Sequence, residues 1–167
     1  EERIADAARQ IEGAFSLVIT TNDSLVGLRD PQGFRPLCLG KTEHGYVLSS
    51  ESCAFDAIKA EFIRDIDPGE MVIIDDRGVR STIYAEPQKI DKKLCVFEYI
   101  YFARSDSKID GQSVYETRLN MGRELYNETK YDADIVMSIP DSGTTAALGY
   151  ARASGIPFAE GLIKNRY

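Results

Sequence analysis

A short loop in the second half of the chain carries residue types that could bind an anion. Pro140-Asp141-Ser142-Gly143-Thr144-Thr145 follows an apolar segment, 134–139, and precedes a predicted helix at 144–153. Exposed backbone amides and the helix dipole favour a negatively charged group at a helix N-terminus. A phosphorylated ligand would therefore fit this loop. Capping of the helix by the polar side chains of the same loop is the alternative that spacing alone leaves open.

The last four residues, 164–167, could complete such a site. They include two cations, Lys164 and Arg166, at the end of a predicted parallel strand. Open α/β sheets bind their ligands at the carboxyl ends of the strands. A cation at this position would meet a phosphate group, and an exposed charged tail is the alternative.

The cysteines and the single histidine indicate no nucleophilic site. Cys38, Cys53 and Cys95 lack both the CxxC spacing and the pattern of a disulfide framework, so reduced thiols are expected. His44 lies in a turn-like stretch with no serine or cysteine nucleophile nearby, which makes a Ser-His-Asp mechanism improbable. We expect His44 to be a solvated loop residue.

Asp75-Asp76 resembles a pyrophosphate-binding motif, because an apolar strand precedes it and a glycine and hydroxyl residues follow it. A phosphate loop should continue into a helix. The following stretch, 81–84, is instead β-branched and aromatic and soon meets Pro87. The pattern therefore favours a hairpin turn.

Composition excludes several classes of protein. The 167 residues are 43% hydrophobic and 28% charged, which is typical of a globular protein. A net charge of −7 argues against a nucleic-acid partner. No stretch approaches the roughly 18 apolar residues of a membrane span, and the start lacks the order of a signal peptide. A cytoplasmic protein without a membrane partner is expected.

The elements that would position the loop fall into two patterns. Residues 11–86 are mostly strand-like, with a hairpin around Asn22-Asp23, strands at 45–49, 70–74 and 79–84, and a short helix at 52–60. The later part predicts a long helix at 112–130, then strand 134–139, helix 144–153 and strand 157–163. Strand, helix and strand in this order are typical of a parallel sheet.

The run Cys95–Ser107 separates the two patterns and predicts a junction between domains. Phe97, Tyr99 and Tyr101 alternate along it, so a strand with one aromatic face is predicted. The run closely resembles the segment that joins the two domains of amidophosphoribosyltransferases, a family of glutamine-dependent enzymes. Three further blocks match that family: RDPQGFRPL at 29–37, PDSGTTAALGY at 140–150 and GLIKNRY at 161–167.

The resemblance implies an α+β part followed by an α/β part. Residues 1–88 would form the C-terminal half of an N-terminal-nucleophile hydrolase αββα sandwich, the class II glutaminase domain. Residues 89–94 would be a linker, and 95–167 would begin the parallel sheet of a type I phosphoribosyltransferase domain. We therefore expect an internal segment of a longer enzyme, with the nucleophilic cysteine upstream of Glu1. No catalytic residue is expected in this chain, which alone would be inactive.

In that family the full enzyme makes 5-phosphoribosylamine from phosphoribosyl pyrophosphate and glutamine-derived ammonia, the first committed step of purine synthesis. The resemblance implies that Asp141, Ser142, Thr144 and Lys164 bind the phosphoribosyl group or a nucleotide. Mg²⁺ is the implied cofactor at this loop. Gly143 stands where the family commonly has a serine that binds the metal, which weakens the expected ligand set.

The resemblance also assigns roles to the junction. Phe97 and Tyr101 would line the passage for ammonia, with plain packing between domains as the alternative. Cys95 would be the first ligand of a [4Fe-4S] cluster in the iron–sulfur branch of the family. A small buried hydrophobe is the alternative for Cys95, and a cluster needs four thiolates.

The implied partners are glutamine, phosphoribosyl pyrophosphate, purine nucleotide inhibitors and further copies of the same protein in a homo-oligomer. A non-catalytic nucleotide-binding or regulatory module with the same fold is the alternative to the enzyme.

Overall fold

The computed structural model describes residues 1–165 and 167, and the chain divides into two units. Unit 1 comprises Glu1–Glu98 and Ile109–Gly111, and unit 2 comprises Tyr99–Lys108 and Gln112–Tyr167. Within the described residues, no helix combines the length and the apolar character that crossing a bilayer requires.

Unit 1 is built mainly from short strands, as the pattern of residues 11–86 predicted. A four-stranded sheet and a three-stranded sheet form, and all neighbouring strands in both are antiparallel. The elements are α1 (Glu2–Arg9), β1 (Ser16–Thr20), β2 (Leu25–Arg29), β3 (Cys38–Thr42), β4 (Gly45–Ser49), α2 (Cys53–Ala57), β5 (Glu61–Asp65), β6 (Glu70–Asp75) and β7 (Gly78–Ile83). The strand orders are β1-β2-β6-β7 and β4-β3-β5.

Two predicted hairpins are confirmed. The β1–β2 turn around Asn22-Asp23 is closed by the Thr21 amide, which donates to the Ser24 carbonyl over 2.8 Å. The Asp75-Asp76 pair lies in the turn between β6 and β7, where the Asp75 carboxylate accepts the Arg77 amide at 3.0 Å. The resemblance of this stretch to a pyrophosphate loop is therefore only a resemblance of sequence.

Strand β6 is buried on both faces. Met71 and Ile73 pack in a core with α1, while Val72 and Ile74 belong to a second core that includes Leu39 of the other sheet. Successive strand side chains point to opposite faces, so an unbroken apolar run suits a strand between two cores. In unit 1, α1 therefore covers one face of the four-stranded sheet, and the three-stranded sheet covers the other.

Helix α2 covers the outer face of the three-stranded sheet. A Cβ atom on Gly40 of β3 would lie 2.9 Å from the Phe55 ring, so the bare glycine backbone admits this side chain. Leu39, the preceding residue, points into the core between the sheets. Unit 1 is thus layered helix, sheet, sheet, helix.

The boundaries predicted for α2 were wrong. The sequence indicated a helix over 52–60, whereas the helix begins after Ser52 and ends at Ala57. Lys59 adopts a positive φ of 55°, which stops a right-handed helix. The chain then enters β5, a strand that the sequence pattern did not separate from its surroundings.

The aromatic run is not a strand. Residues Glu98–Phe102 form one turn of π-helix, so Phe97 and Tyr101 do not alternate on a strand face as predicted. The turn is fixed from outside: the buried Arg118 side chain binds the carbonyl oxygens of Tyr99 and Ala103. The alternation of aromatic residues in the sequence does not indicate that Arg118 binds this turn.

Unit 2 contains two helices in close contact, α3 (Val114–Glu128) and α4 (Gly143–Ser154). A Cβ atom on Gly122 would lie 1.8 Å from the Ala146 carbonyl oxygen, and one on Gly149 would lie 2.1 Å from that of Leu119. The helices approach so closely because both contact positions lack a side chain. Both helices were predicted, and α4 ends before Gly155, whose φ is 75°.

A short hairpin precedes α3. Its strands are β8 (Lys108–Ile109) and β9 (Gln112–Ser113), and Asp110 and Gly111 both have positive φ in the turn between them. Asp-Gly with this geometry is a common two-residue hairpin connection.

The two strands predicted around α4 are reduced to a single parallel bridge between Val136 and Phe158. The Val136 amide donates to the Pro157 carbonyl, and the Ala159 amide donates to the Val136 carbonyl, both over 2.9 Å. The predicted polarity is correct, but the predicted length was wrong. Apolar residues such as Ile135 and Met137 are about half exposed here. The order of strand, helix and strand thus predicted the direction of the two segments, but not the extent of their pairing.

Candidate functional site

The Ser142 side chain does not cap α4, in contrast to the capping alternative for this loop. Ser142 occupies the N-cap position with helical backbone angles, and its side chain makes no capping hydrogen bond. The Thr144 amide instead donates to the backbone carbonyl of Asp141 over 3.2 Å. The Thr144 hydroxyl lies 3.1 Å from that of Ser138. Capping therefore does not account for Ser142.

A cavity of about 610 Å³ opens beside this loop in unit 2. It brings together Asp141, Thr144 and Lys164, three of the four predicted ligand residues of the phosphoribosyl site, while Ser142 stays at the N-cap and outside the lining. The lining consists of Pro140, Asp141, Thr144, Glu160, Leu162, Ile163, Lys164, Asn165 and Tyr167. The second predicted cation, Arg166, lies outside the described residues.

Lys164 and Asp141 form a loose ion pair at the cavity. The Lys164 Nζ atom lies 3.8 Å from Asp141 Oδ2, and both side chains are more than half exposed. Exposed pairs of this kind contribute about 0–1 kcal/mol. A phosphate group could therefore replace the carboxylate as the partner of Lys164 at little cost.

Sequence reasoning missed Glu160 and included Asn165 only as part of the last four residues. Both line the cavity. Glu160 is the second carboxylate in the lining, beside Asp141, and the same lining includes Lys164. Glu160 lies within the predicted strand 157–163, and Asn165 follows its end, so the rule that ligands bind near strand carboxyl ends could have drawn attention to both. Chemically, the cation and the start of α4 suit phosphate, and the carboxylates suit hydroxyl groups or a metal ion.

The fit of Mg²⁺ to the loop is partial. Among residues 1–165 and 167, no three His, Cys, Asp or Glu side chains cluster as a metal site. Protein-bound Mg²⁺ usually keeps one or two carboxylates together with waters and substrate phosphates. Asp141 could supply one carboxylate, whereas Gly143 supplies no side chain. The loop thus fits an ion that arrives with a phosphorylated ligand, and not a preformed protein cage.

The three cysteines are reduced thiols, as expected, and they differ in exposure. Burial, with the charge of Asp65 next, raises the pKa of Cys38 to about 12, which disfavours the thiolate that a metal requires. Cys95 is half-buried, and its amide donates to the Phe34 carbonyl over 3.1 Å. Its role as a cluster ligand stays a prediction.

The remaining predicted residues lie at the surface of their units. Phe97 and Tyr101 are 54% and 65% exposed, and the role of both in an ammonia passage stays a prediction. His44 is solvated, as expected, and its side chain lies 3.2 Å from the Glu43 carboxylate.

Comparison with known proteins decides the family. No protein-family model matches the chain. The amidophosphoribosyltransferase of Synechococcus elongatus is 54% identical over 98% of this chain, and that of Archaeoglobus fulgidus is 51% identical over 93%. The chain belongs to the amidophosphoribosyltransferase family. It spans 34% of the length of each of these amidophosphoribosyltransferases.

A solved structure of the family has the same fold. Glutamine phosphoribosylpyrophosphate amidotransferase from B. subtilis, complexed with ADP and GMP, matches 99% of this chain with a TM-score of 0.95 and 43% identity. The match covers 36% of that protein. The resemblance drawn from the RDPQGFRPL, PDSGTTAALGY and GLIKNRY blocks is confirmed.

Proposed function

We propose that this chain acts, within a longer amidophosphoribosyltransferase, in the synthesis of 5-phosphoribosylamine from phosphoribosyl pyrophosphate and glutamine-derived ammonia. The observation that carries the proposal is the cavity at the start of α4, where Lys164, Asp141 and Thr144 meet. The 47–54% identity to amidophosphoribosyltransferases supports it.

We assign residues 1–88 to the glutaminase domain, 89–94 to a linker and 95–167 to the start of the phosphoribosyltransferase domain. The layering of helix, sheet, sheet and helix in unit 1 supports an N-terminal-nucleophile hydrolase fold. The parallel bridge between the segments that precede and follow α4 supports a type I phosphoribosyltransferase in unit 2.

In the proposed reaction, the nitrogen of ammonia forms a bond to C1 of the sugar while the bond from C1 to the pyrophosphate oxygen breaks. Lys164 and the first amides of α4 would hold a phosphate group. Asp141 would accept from a ribose hydroxyl or hold the Mg²⁺ that accompanies the substrate. When bound, Mg²⁺ would neutralise charge on the departing pyrophosphate.

Several further roles belong to the same proposal. Phe97 and Tyr101 would form an apolar wall along which neutral ammonia passes, and Cys95 would bind a [4Fe-4S] cluster completed by cysteines of other segments. Because the B. subtilis relative is complexed with ADP and GMP, we propose that purine nucleotides inhibit this protein. A cytoplasmic homo-oligomer is proposed as its assembly.

The gene product that carries this segment tests the proposal directly. Phosphoribosylamine formation should be measured with ammonia as the nitrogen donor, which makes the reaction independent of glutamine hydrolysis. Lys164→Gln should raise the KM for phosphoribosyl pyrophosphate about tenfold, since a charge-assisted hydrogen bond is worth about 1.5–3 kcal/mol. The exposed Lys130→Gln is the matched control and should behave as the wild type. A wild-type protein that neither binds nor consumes phosphoribosyl pyrophosphate would refute the proposal.

A further inference from the structure

Arg118 is a buried cation of unit 2 that binds three oxygen atoms of the same unit. Its residue is 3% exposed and projects from α3. The guanidinium Nε donates to the Tyr99 carbonyl over 2.5 Å, and Nη2 donates to the Ala103 carbonyl over 2.8 Å. Carbonyls at the end of a helical turn lack intrahelical partners, and a cation there satisfies them and favours the local dipole. Arg118 thereby fixes the turn of aromatic residues.

The same guanidinium reaches towards α4. Its Nη1 donates to the Ser105 hydroxyl over 3.1 Å, and that hydroxyl lies 3.5 Å from the hydroxyl of Thr145. Thr145 is a buried residue of the first turn of α4 and follows Thr144, which lines the cavity. One planar side chain therefore connects the aromatic turn, through Ser105, to the first turn of α4, where Thr144 lines the cavity.

The backbone of α3 reinforces this connection. Leu119, the residue after Arg118, touches α4 at Gly149, where a Cβ atom would lie 2.1 Å from the Leu119 carbonyl oxygen. A second contact lies nearer the start of α4, where a Cβ atom on Gly122 would lie 1.8 Å from the Ala146 carbonyl oxygen. These backbone contacts hold α4 from Ala146 onward, and Arg118, through Ser105, is placed to orient Thr145 just before them.

We propose that Arg118 is a positioning residue for the phosphate-binding first turn of α4, acting through Ser105 and Thr145. The choice of phosphoribosyl pyrophosphate as the ligand rests on the proposed function. The packing of Arg118 against Ser105 is independent of that function. Lysine cannot replace arginine here, because one ammonium group cannot reproduce the planar fork that reaches two carbonyls and a hydroxyl.

The test compares Arg118→Lys with Arg123→Lys in the gene product that carries this segment. Arg123 lies on the same helix, is exposed, and contacts the neighbouring Glu124. With ammonia as donor, Arg118→Lys should raise the KM for phosphoribosyl pyrophosphate about tenfold, in line with the loss of charged hydrogen bonds. The kcat should change little, which is the pattern of lost uniform binding. Arg123→Lys should match the wild type in both constants.

A second readout does not depend on the ligand. Amide hydrogen exchange at residues 146–148 of α4 should speed up in Arg118→Lys and not in Arg123→Lys. Ser105→Ala, a milder change that serves if Arg118→Lys does not fold, should raise KM and exchange in the same direction. The double variant should show less than the sum of the two effects, because both act on one contact.

The outcomes separate the two proposals. An Arg118→Lys protein with wild-type KM and wild-type exchange overturns the positioning role, and so does a uniform loss of stability without a local change at 146–148. A wild-type protein that does not bind phosphoribosyl pyrophosphate refutes the proposed function, and the exchange comparison then decides the role of Arg118 alone.

Discussion

Arg29 donates two hydrogen bonds to the carboxylate of Asp110, although 81 positions separate the two residues in the chain. The guanidinium is buried and also binds the carbonyl oxygens of Gly33, Arg35 and Ile66. The Asp110 carboxylate is 8% exposed. This pair attaches the Ile109–Gly111 turn to the body of unit 1, to which the turn belongs.

Asp110→Asn should destabilise the protein strongly. The amide keeps the volume of the side chain but removes the charge that compensates the buried Arg29, and breaking a buried pair in this way costs about 3–5 kcal/mol. Denaturant unfolding of the gene product that carries this segment measures the loss. Asp106→Asn is the control, because Asp106 forms an exposed pair with Arg104. Equal stabilities for the two variants would contradict the role of the Arg29 contact.

Acid sensitivity should depend on Glu70. Burial alone would raise the pKa of this carboxyl, but hydrogen bonds from Arg64, the Asp67 amide and Ser81 outweigh burial and hold the pKa below its usual value. A carboxyl with a lowered folded-state pKa stabilises the fold above the unfolded pKa of about 4.3, and the stabilisation is lost as the pH falls.

The free energy of unfolding measured from pH 7 to pH 3 should therefore fall less steeply in Glu70→Gln than in the wild type. Glu61→Gln, an exposed change on β5, should keep the wild-type slope. A wild-type slope in Glu70→Gln would show that the Arg64 contact does not control the titration.

The contact between α3 and α4 should not accept a methyl group. Gly122→Ala would place a Cβ atom 1.8 Å from the Ala146 carbonyl oxygen, so the helices would have to separate. Overpacking of this kind costs about 1–3 kcal/mol. Gly143→Ala, where nothing lies within 4 Å of the added atom, should leave the melting temperature unchanged or slightly raised. A fall in the melting temperature of Gly122→Ala that is no larger than that of Gly143→Ala would refute the close approach.

The cysteines should differ in reactivity. Cys38 is 2% exposed and burial raises its pKa to about 12, so iodoacetamide at pH 8 should not modify it in the folded protein. Cys95 is half-buried and should react when no iron is bound. Mass spectrometry of the alkylated peptides measures both. Protection of Cys95 that disappears when iron is removed would identify it as a cluster ligand, whereas protection in iron-free protein would argue for simple burial.

Local chemistry predicted much of the fold. Turn pairs such as Asn22-Asp23 located the hairpins, and the spacing of apolar residues located α3. The position of a loop between a strand and a helix singled out Asp141 and Thr144, the end of the next segment singled out Lys164, and the family resemblance implied their role; the structure places all three around one cavity. In each case the signal lies within a few residues of the element that it predicts.

The sequence failed where the partner is remote. The aromatic run has the alternation of a strand, yet its turn is set by Arg118, which lies 19 residues beyond Tyr99. The Arg29 contact spans 81 positions, and no pattern in one sequence couples those two residues. Glu160 also escaped notice, because a single acidic residue has no periodicity.

The position of each residue along strand β6 decides which of the two cores its side chain enters. Met71 and Ile73 pack in one core, and Val72 and Ile74 pack in the other. The odd-numbered positions of the strand therefore face one core, and the even-numbered positions face the other. Insertion or deletion of a single residue within it would exchange the contents of both cores at once. A substitution in this strand changes one core at a time, whereas a change of one residue in its length affects both.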